Sequence, residues 1–463
     1  MELKDILALP SVADQVKELQ KRYPAAPDIT NIEKQYDQTK HDIMDIAKRP
    51  DKSIKDESGN TTSLEPVGRV AIALQQLIVK RAVAFLFGNP VKYQSKPESD
   101  PQKTLYEAVK KIQAKVKINS FNRRLAREMF KATEAAECWF PVEDQNEFYG
   151  FPSKFKLRVA LFSPLNGDEL FPIFDNLGDL VAFSRGYTVT SPDNSTVKYF
   201  ETWTAEKYIK FKEEKEGWVQ ESTITSVIKK IPIIYGRQDN PEWHMVQGLI
   251  DRLEKLLSNF ADTNDYHASP KIFVTGTIVG FSKKGESGAI IEGEDGATAN
   301  YLAWQSAPES VKLEISNLLN MIYTISQTPD ISFESLKGVG AVSGVALKLM
   351  FLDAHLKVQE KLEIFDEYLQ RRVNLLKAFC AQLDTSLAKE INLEIVPDVT
   401  PFMVDDLKTL VETLVTANGN KPIMSQKTSV EYSGLVEDVD AEYDQITEEG
   451  DRASQMDIGA PTI

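Results

Sequence analysis

From Leu347 to Cys380 the apolar positions advance in steps of 4, 3, 4, 4, 3, 4, 4, 3 and 4 residues, through Phe351, Ala354, Val358, Leu362, Phe365, Leu369, Val373 and Leu376. This is an eleven-residue repeat, and at 3.67 residues per turn it keeps the stripe almost straight along an ordinary α-helix. A left-handed coiled coil needs a seven-residue repeat and is not the best reading. Neither proline nor glycine occurs between residues 345 and 383, so the spacing predicts one strut of roughly 50 Å. Its stripe must be buried by the rest of the chain.

At about 150 residues per domain, 463 residues predict about three units. The first 60 read as polar helical pieces ending in a loop, Lys52–Thr62. A helix is expected over Val67–Phe87, with Pro66 in its first turn and Gly88 at its C-cap. Lys110–Lys131 is a basic helical stretch, eight Lys/Arg against Glu128 alone. Contact with nucleic acid or an acidic partner is one reading of it; a solvated helix face is the plainer one. Residues 136–236 carry short β-rich runs (Leu157–Leu161, Leu180–Val189, Val197–Trp203) between turn clusters, closed by Ile228–Tyr235. Pro241 opens a helix with its stripe at Val246, Leu249, Ile250, Leu253, Leu257 and Phe260. A strand-and-turn module follows from Lys271 to about Trp304, and Pro308 starts a second amphipathic helix. A small β insert thus hangs between two helices. After the strut come a strand at Ile391–Val396, a helix at Pro401–Thr416, a smaller one from Ser425 to Ser433, and an acidic tail. The fold class is α+β, mainly helical.

The charge is unevenly placed. The chain has 54 basic and 69 acidic residues, a net −15. Glu431–Ile463 alone holds ten acidic residues and one basic one, Arg452, leaving the first 430 residues at only −6. Such a balance argues against a surface that coats nucleic acid throughout. Two distant cysteines, Cys138 and Cys380, indicate neither a disulfide framework nor a zinc site and fit a reducing, intracellular setting. The start, MELKDILALP, does not read as a secretory signal. The most apolar helix, Val67–Phe87, contains Arg69, Lys80 and Arg81 and reads as core or interface, with no membrane span expected.

Little reads as chemistry. Gly338-Val-Gly-Ala-Val-Ser-Gly344 leads into a helix as a phosphate loop does. Its third glycine, however, stands one residue late for GxGxxG, no Gly-Lys-Ser/Thr follows, and a loop or hinge is expected. Pro397-Asp398 with Asp406-Leu-Lys408 formally matches a metal-dependent nuclease pattern. Asp406 and Lys408 fall in a helical pattern, though, where i and i+2 point to different sides. The four histidines (His41, His244, His267, His355) form no HxH or HExxH pair. No enzyme, cofactor or metal site is expected.

The order of features resembles the portal proteins of tailed double-stranded DNA bacteriophages over about residues 60–450. Phe87-Gly-Asn-Pro-Val-Lys-Tyr93 is similar to the family's LFGxPVxY signature. Ile173-Phe-Asp175 and the β-run to Trp203 look like its P-x-x-x-D sheet region. Leu249-Ile-Asp-Arg252 through Ser258-Asn-Phe-Ala261 is similar to its LID…SxxA helix. Gln327-Thr-Pro-Asp330 with Ser343-Gly-Val-Ala-Leu-Lys348 resembles its PD…SGxALK segment. Ser425-Gln-Lys-Thr428 with Val436-Glu-Asp438 matches a late S-x-x-T…VxD piece.

The resemblance implies a portal-type fold: a wing (1–240), a stem helix (241–267), a clip (268–308), a second stem helix (309–325), a tunnel loop (326–344), a long wing helix with return strand (345–400), and a crown with the acidic tail (401–463). It implies a ring, of about twelve subunits, at one capsid vertex of the virion, assembled in the host cytoplasm. The ring would pass double-stranded DNA in packaging and ejection. Its partners would be the terminase large subunit, scaffold and major capsid protein, and head-completion or neck proteins. DNA would be faced by Lys337, Gly338, Val339, Gly340, Ala341, Val342, Ser343 and Gly344. The clip residues Lys271, Phe273, Lys283, Lys284 and Trp304 would meet the motor and neck. Lys337 is the only cation of residues 326–344, which suits a conduit that must let phosphates slide. The alternatives are a Mg-dependent DNA-processing nuclease or another head or tail structural protein.

Overall fold

The computed structural model describes residues 2–23, 25–268, 271–281, 291–293, 295–302, 308–331, 349–402, 407–419, 422–436 and 439–458. They form two compact units, Met1–Asp330 with Asp353–Phe402, and Ile331–Leu352 with Met403–Ile463. Helix accounts for 48% and strand for 23%, a mixed architecture in which helix dominates.

The first unit opens with α1 (Leu3–Leu7), α2 (Val12–Leu19) and α3 (Ile29–Tyr36). The Ser11 and Asp28 side chains cap α2 and α3 by accepting the Asp14 and Asn31 amides. An exposed antiparallel hairpin, β1 (Lys52–Lys55) and β2 (Thr61–Glu65), follows. The helix expected from Val67 begins only at Leu74, as α4 (Leu74–Phe87), because the preceding amides are claimed by another helix, described below. After β3 (Lys92–Gln94), the expected basic helix is two, α5 (Asp100–Lys115) and α6 (Ile118–Ala132). Lys117, at φ 56°, takes the left-handed conformation that separates them.

Strands occupy the expected β-rich region, with the closing one beginning at Ile233 rather than Ile228. β4 (Glu134–Asn146) and β5 (Ser153–Phe162) pair with each other. β6 (Glu169–Phe174), β7 (Leu180–Thr190), β8 (Thr196–Thr204), β9 (Lys207–Glu214) and β10 (Gly217–Thr225) form an antiparallel meander, and β11 (Ile233–Arg237) returns to the edge of β4. Ala136, Cys138, Phe162, Ile233 and Tyr235 of the three-stranded sheet share a core with Leu170, Phe183 and Trp203 of the five-stranded one. On the meander's other face, Phe200, Ile209 and Phe211 pack against Ile6, Val16 and Leu19 of α1 and α2. The alternation of Phe200 with Trp203 along β8 is therefore two-sided burial.

The helix expected from Pro241 begins at Gln247, after one 3₁₀ turn at His244–Val246; α7 spans Gln247–Ala268. β12 (Lys271–Thr275) pairs with β15 (Thr298–Leu302), and β13 (Ile278–Phe281) with β14 (Ile291–Gly293). α8 (Pro308–Ile325) returns beside α7, buries Leu318 and Ile322, and bridges to it through Arg252 and Glu314. The strut is α9 (Leu352–Leu383), 32 residues and about 48 Å, restarting after a turn at Phe351. Ala354, Val358, Phe365, Leu369, Val373, Leu376 and Cys380 of its stripe are buried.

The strand expected at Ile391–Val396 lies instead at Val396–Asp398, as β16, antiparallel to β3. The shift has a cause. α9 side chains hold the intervening carbonyls, Lys377 taking Leu393 O and Gln370 taking Ile395 O, so those residues are committed to the helix.

In the second unit, α10 (Leu407–Ala417) starts later than the expected Pro401, and α11 (Gln426–Ser433) is capped by Ser425. The acidic tail contributes a helix, α12 (Val439–Ile458).

Candidate functional site

Four helical residues rise about 6.0 Å and two extended residues about 6.6 Å. Side chains four apart on a helix can therefore meet alternate amides of an extended segment. α7 does this to residues 68–72: Glu254 accepts from Ile72 N at 2.8 Å, Ser258 from Val70 N at 2.9 Å and Asp262 from Gly68 N at 2.5 Å. Close approach requires small groups. A Cβ at Gly68 would lie 3.1 Å from Ala261 Cβ and 3.2 Å from Ser258 O. The serine and alanine of the SxxA motif thus have physical roles, one as acceptor and one as clearance.

The N-terminal segment docks on the same face. Arg49 donates to Gly68 O, Asn259 and Asp262. The buried His41 ring reaches Glu254 Oε1 at 2.7 Å and Gln35 O at 2.8 Å. Burial alone would lower the His41 pKa; the Glu254 carboxylate outweighs it and holds the value above 6.5.

The root of the 332–348 segment is equally well defined. α8 ends in a Schellman motif, with Thr328 N donating to Tyr323 O, Gln327 N to Thr324 O, and Gln327 left-handed at φ 49°. Arg81 on α4 donates to Pro329 O at 2.6 Å, with Asp330 3.9 Å away. Lys357 on α9 donates to Ser326 O at 3.0 Å and pairs with Glu242 at 2.8 Å; Lys361 meets Glu242's other oxygen at 2.7 Å. Burial would raise the Glu242 pKa, and the two ammonium groups overcome this and hold it low. One buried cluster therefore ties the approach to α7, the end of α8 and the first turns of α9 to a common point.

Farther along α9, Arg372 is fully buried against Glu137 (2.7 and 2.5 Å) and Asn122 (2.7 Å), and the Trp139 indole donates to the same carboxylate. Sequence reasoning missed these buried charges. The available signal was phase, since Lys361 and Arg372 stand one eleven-residue repeat apart and Arg372 flanks the stripe residue Val373.

The LFGxPVxY segment also has a mechanical role. Asn89 Nδ2 donates to Thr400 O and Pro401 O, Phe402 N donates to Phe85 O, and a Cβ on Gly88 would lie 2.8 Å from Phe402 Cβ. Asp398, half of the nuclease pattern, is a β16 residue whose carboxylate accepts from Gln94 at 3.0 Å. Asp406 lies outside the described residues. Among those described, no group of three metal-ligating side chains converges. No helix among them is long and apolar enough to cross a membrane.

Of the expected site residues, Lys271 and Phe273 lie in β12, Phe273 half-exposed at 53%. Lys283, Lys284 and Trp304 lie outside the described residues, as do Lys337, Gly338, Val339, Gly340, Ala341, Val342, Ser343 and Gly344.

A family described as phage portal protein, SPP1 Gp6-like, matches residues 17–456. No curated protein matches. Two solved structures are similar at 10% identity. One, the neck of an empty GTA particle computed with C6 symmetry, has a TM-score of 0.42 over 78% of this chain and 89% of that one. The other, the virion of a native gene transfer agent (GTA) particle, has a TM-score of 0.36 over 78% and 88%.

Proposed function

The chain belongs to the SPP1 Gp6-like family of phage portal proteins, a structural family, and on that premise we propose that it assembles into a ring at one capsid vertex. The ring is a conduit through which double-stranded DNA is packaged and ejected. The match over residues 17–456 carries this reading. In this assignment α7 and α8 are the stem, the β12–β15 module is the clip that meets the terminase motor and neck proteins, and residues 326–344 are the loop nearest the DNA. A helix–β insert–helix unit with two apolar helix stripes is marginal alone, and neighbouring copies in a ring supply what it lacks. The cluster around Lys357 and Glu242 supports the loop assignment, because a constriction needs a fixed base.

Negative-stain imaging of the purified full chain tests the proposal. Closed rings with a central hole are expected; monomers, tubes or shells overturn it. The nuclease reading has no geometric support among the described residues, because Asp398 is engaged by Gln94.

A further inference from the structure

The basic stretch remains outside this account. Asp100–Ala132 contains three acidic residues, Asp100, Glu107 and Glu128, and nine cations. Each acid is taken by a lysine three residues on, Lys103 at 3.4 Å, Lys110 at 3.0 Å and Lys131 at 3.0 Å. Six cations are left, Lys111, Lys115, Lys117, Arg123, Arg124 and Arg127, and none pairs with a carboxylate among the described residues. Lys111 and Lys115 share one side of α5; Arg123, Arg124 and Arg127 share one side of α6. Lys117 stands at the left-handed turn between the two helices. All six are exposed or partly exposed. The two helices and the turn between them are thus locally cationic on a chain whose net charge is −15.

We propose that the exposed cations of this helix pair bind the phosphate backbone of double-stranded DNA, without reading its sequence and independently of the DNA channel. Two observations favour duplex phosphate. First, α5 and α6 contribute no exposed large hydrophobic residue, whereas a protein partner would need an apolar centre to its interface. Phe148, beside α5, is 42% exposed and already carries the Lys115 ammonium 3.6 Å above its ring, a single ring rather than an apolar centre. Second, α5 and α6 themselves present no open aromatic ring for base stacking, since Phe121 and Phe130 are buried and Lys110 lies over Tyr106. What remains is charge, which duplex phosphates alone suffice to meet.

The test is fluorescence anisotropy of a labelled 30-base-pair duplex with the full chain across 50–200 mM salt. Six phosphate contacts predict a log–log salt slope near −5 and about a thousand-fold loss of affinity over that range. The triple variant Lys111→Gln/Lys115→Gln/Lys117→Gln should bring the slope to about −3, as should Arg123→Gln/Arg124→Gln/Arg127→Gln. Lys52→Gln/Lys55→Gln, on the exposed hairpin, should leave it unchanged. Unchanged slopes in both triple variants, or no binding by the unmodified chain at 50 mM salt, overturn the proposal. So does competition by polyglutamate that matches the duplex charge for charge, which would mark an acidic protein as the ligand. Rings are scored by imaging on the same samples, so the portal reading stands or falls separately.

Discussion

The buried charges of the first unit define the sharpest expectations for single residues. Arg372 and Glu137 are both fully buried. Removing one partner of such a pair strands the other, a loss of about 3–5 kcal/mol. Urea unfolding should register that loss for Arg372→Met, while the double variant Arg372→Met/Glu137→Leu should lose less than the two single changes added together. Equal additivity would mean that the pair is not coupled. His41 gives the pH dependence. Its pKa is raised above 6.5 in the folded chain by Glu254, so the pair contributes fully below 6.5 and is lost as pH rises through the folded value. Hydrogen exchange over residues 37–49, corrected for intrinsic rates, should accelerate on passing from pH 6 to pH 9. A His41→Gln variant should show no such step, and an identical step in that variant would assign the effect elsewhere.

At the scale of elements, the contact of α7 with residues 68–72 decides where α4 begins. The sequence pattern for a helix from Val67 was sound locally, with Pro66 and an apolar stripe, yet Gly68, Val70 and Ile72 give their amides to Asp262, Ser258 and Glu254. No local rule reads that, because the acceptors lie some 180–194 residues away. The same limit applies to the strand displaced to Val396–Asp398, whose preceding carbonyls belong to α9 side chains. The strut itself was legible, since its periodicity is internal to one element. Gly68→Ala should force the extended segment away from Ala261 and cost about 1–3 kcal/mol. Adding Ala261→Gly should return part of that loss. Exchange of the Val70 amide should rise in Ser258→Ala, where its acceptor is gone. If Gly68→Ala unfolds like the unmodified chain, residues 68–72 do not approach α7 as closely as this contact requires.

Over the whole molecule, net charge was the most misleading number and its distribution the most useful. The tail holds ten of the 69 acidic residues, while α5, α6 and the turn between them expose six cations that pair with no carboxylate among the described residues, so the sum of −15 conceals two opposed local fields. The family was legible because short signatures occur in a fixed order over most of the chain; the expected DNA-facing and clip side chains were named by resemblance alone. Their mechanical setting can still be put to the test. Arg81 holds Pro329 O and Lys357 holds Ser326 O, so the start of the 326–344 segment is anchored by residues outside it. Shortening that segment should not disturb the anchors. Deleting residues 339–342 is therefore expected to leave ring formation intact in negative stain while reducing the DNA packaged or retained per particle. Replacing Lys337 by Gln should have the smaller effect, since it removes one cation and no chain length. Loss of rings on deletion would place residues 326–344 in the contacts between subunits and refute their assignment to the conduit.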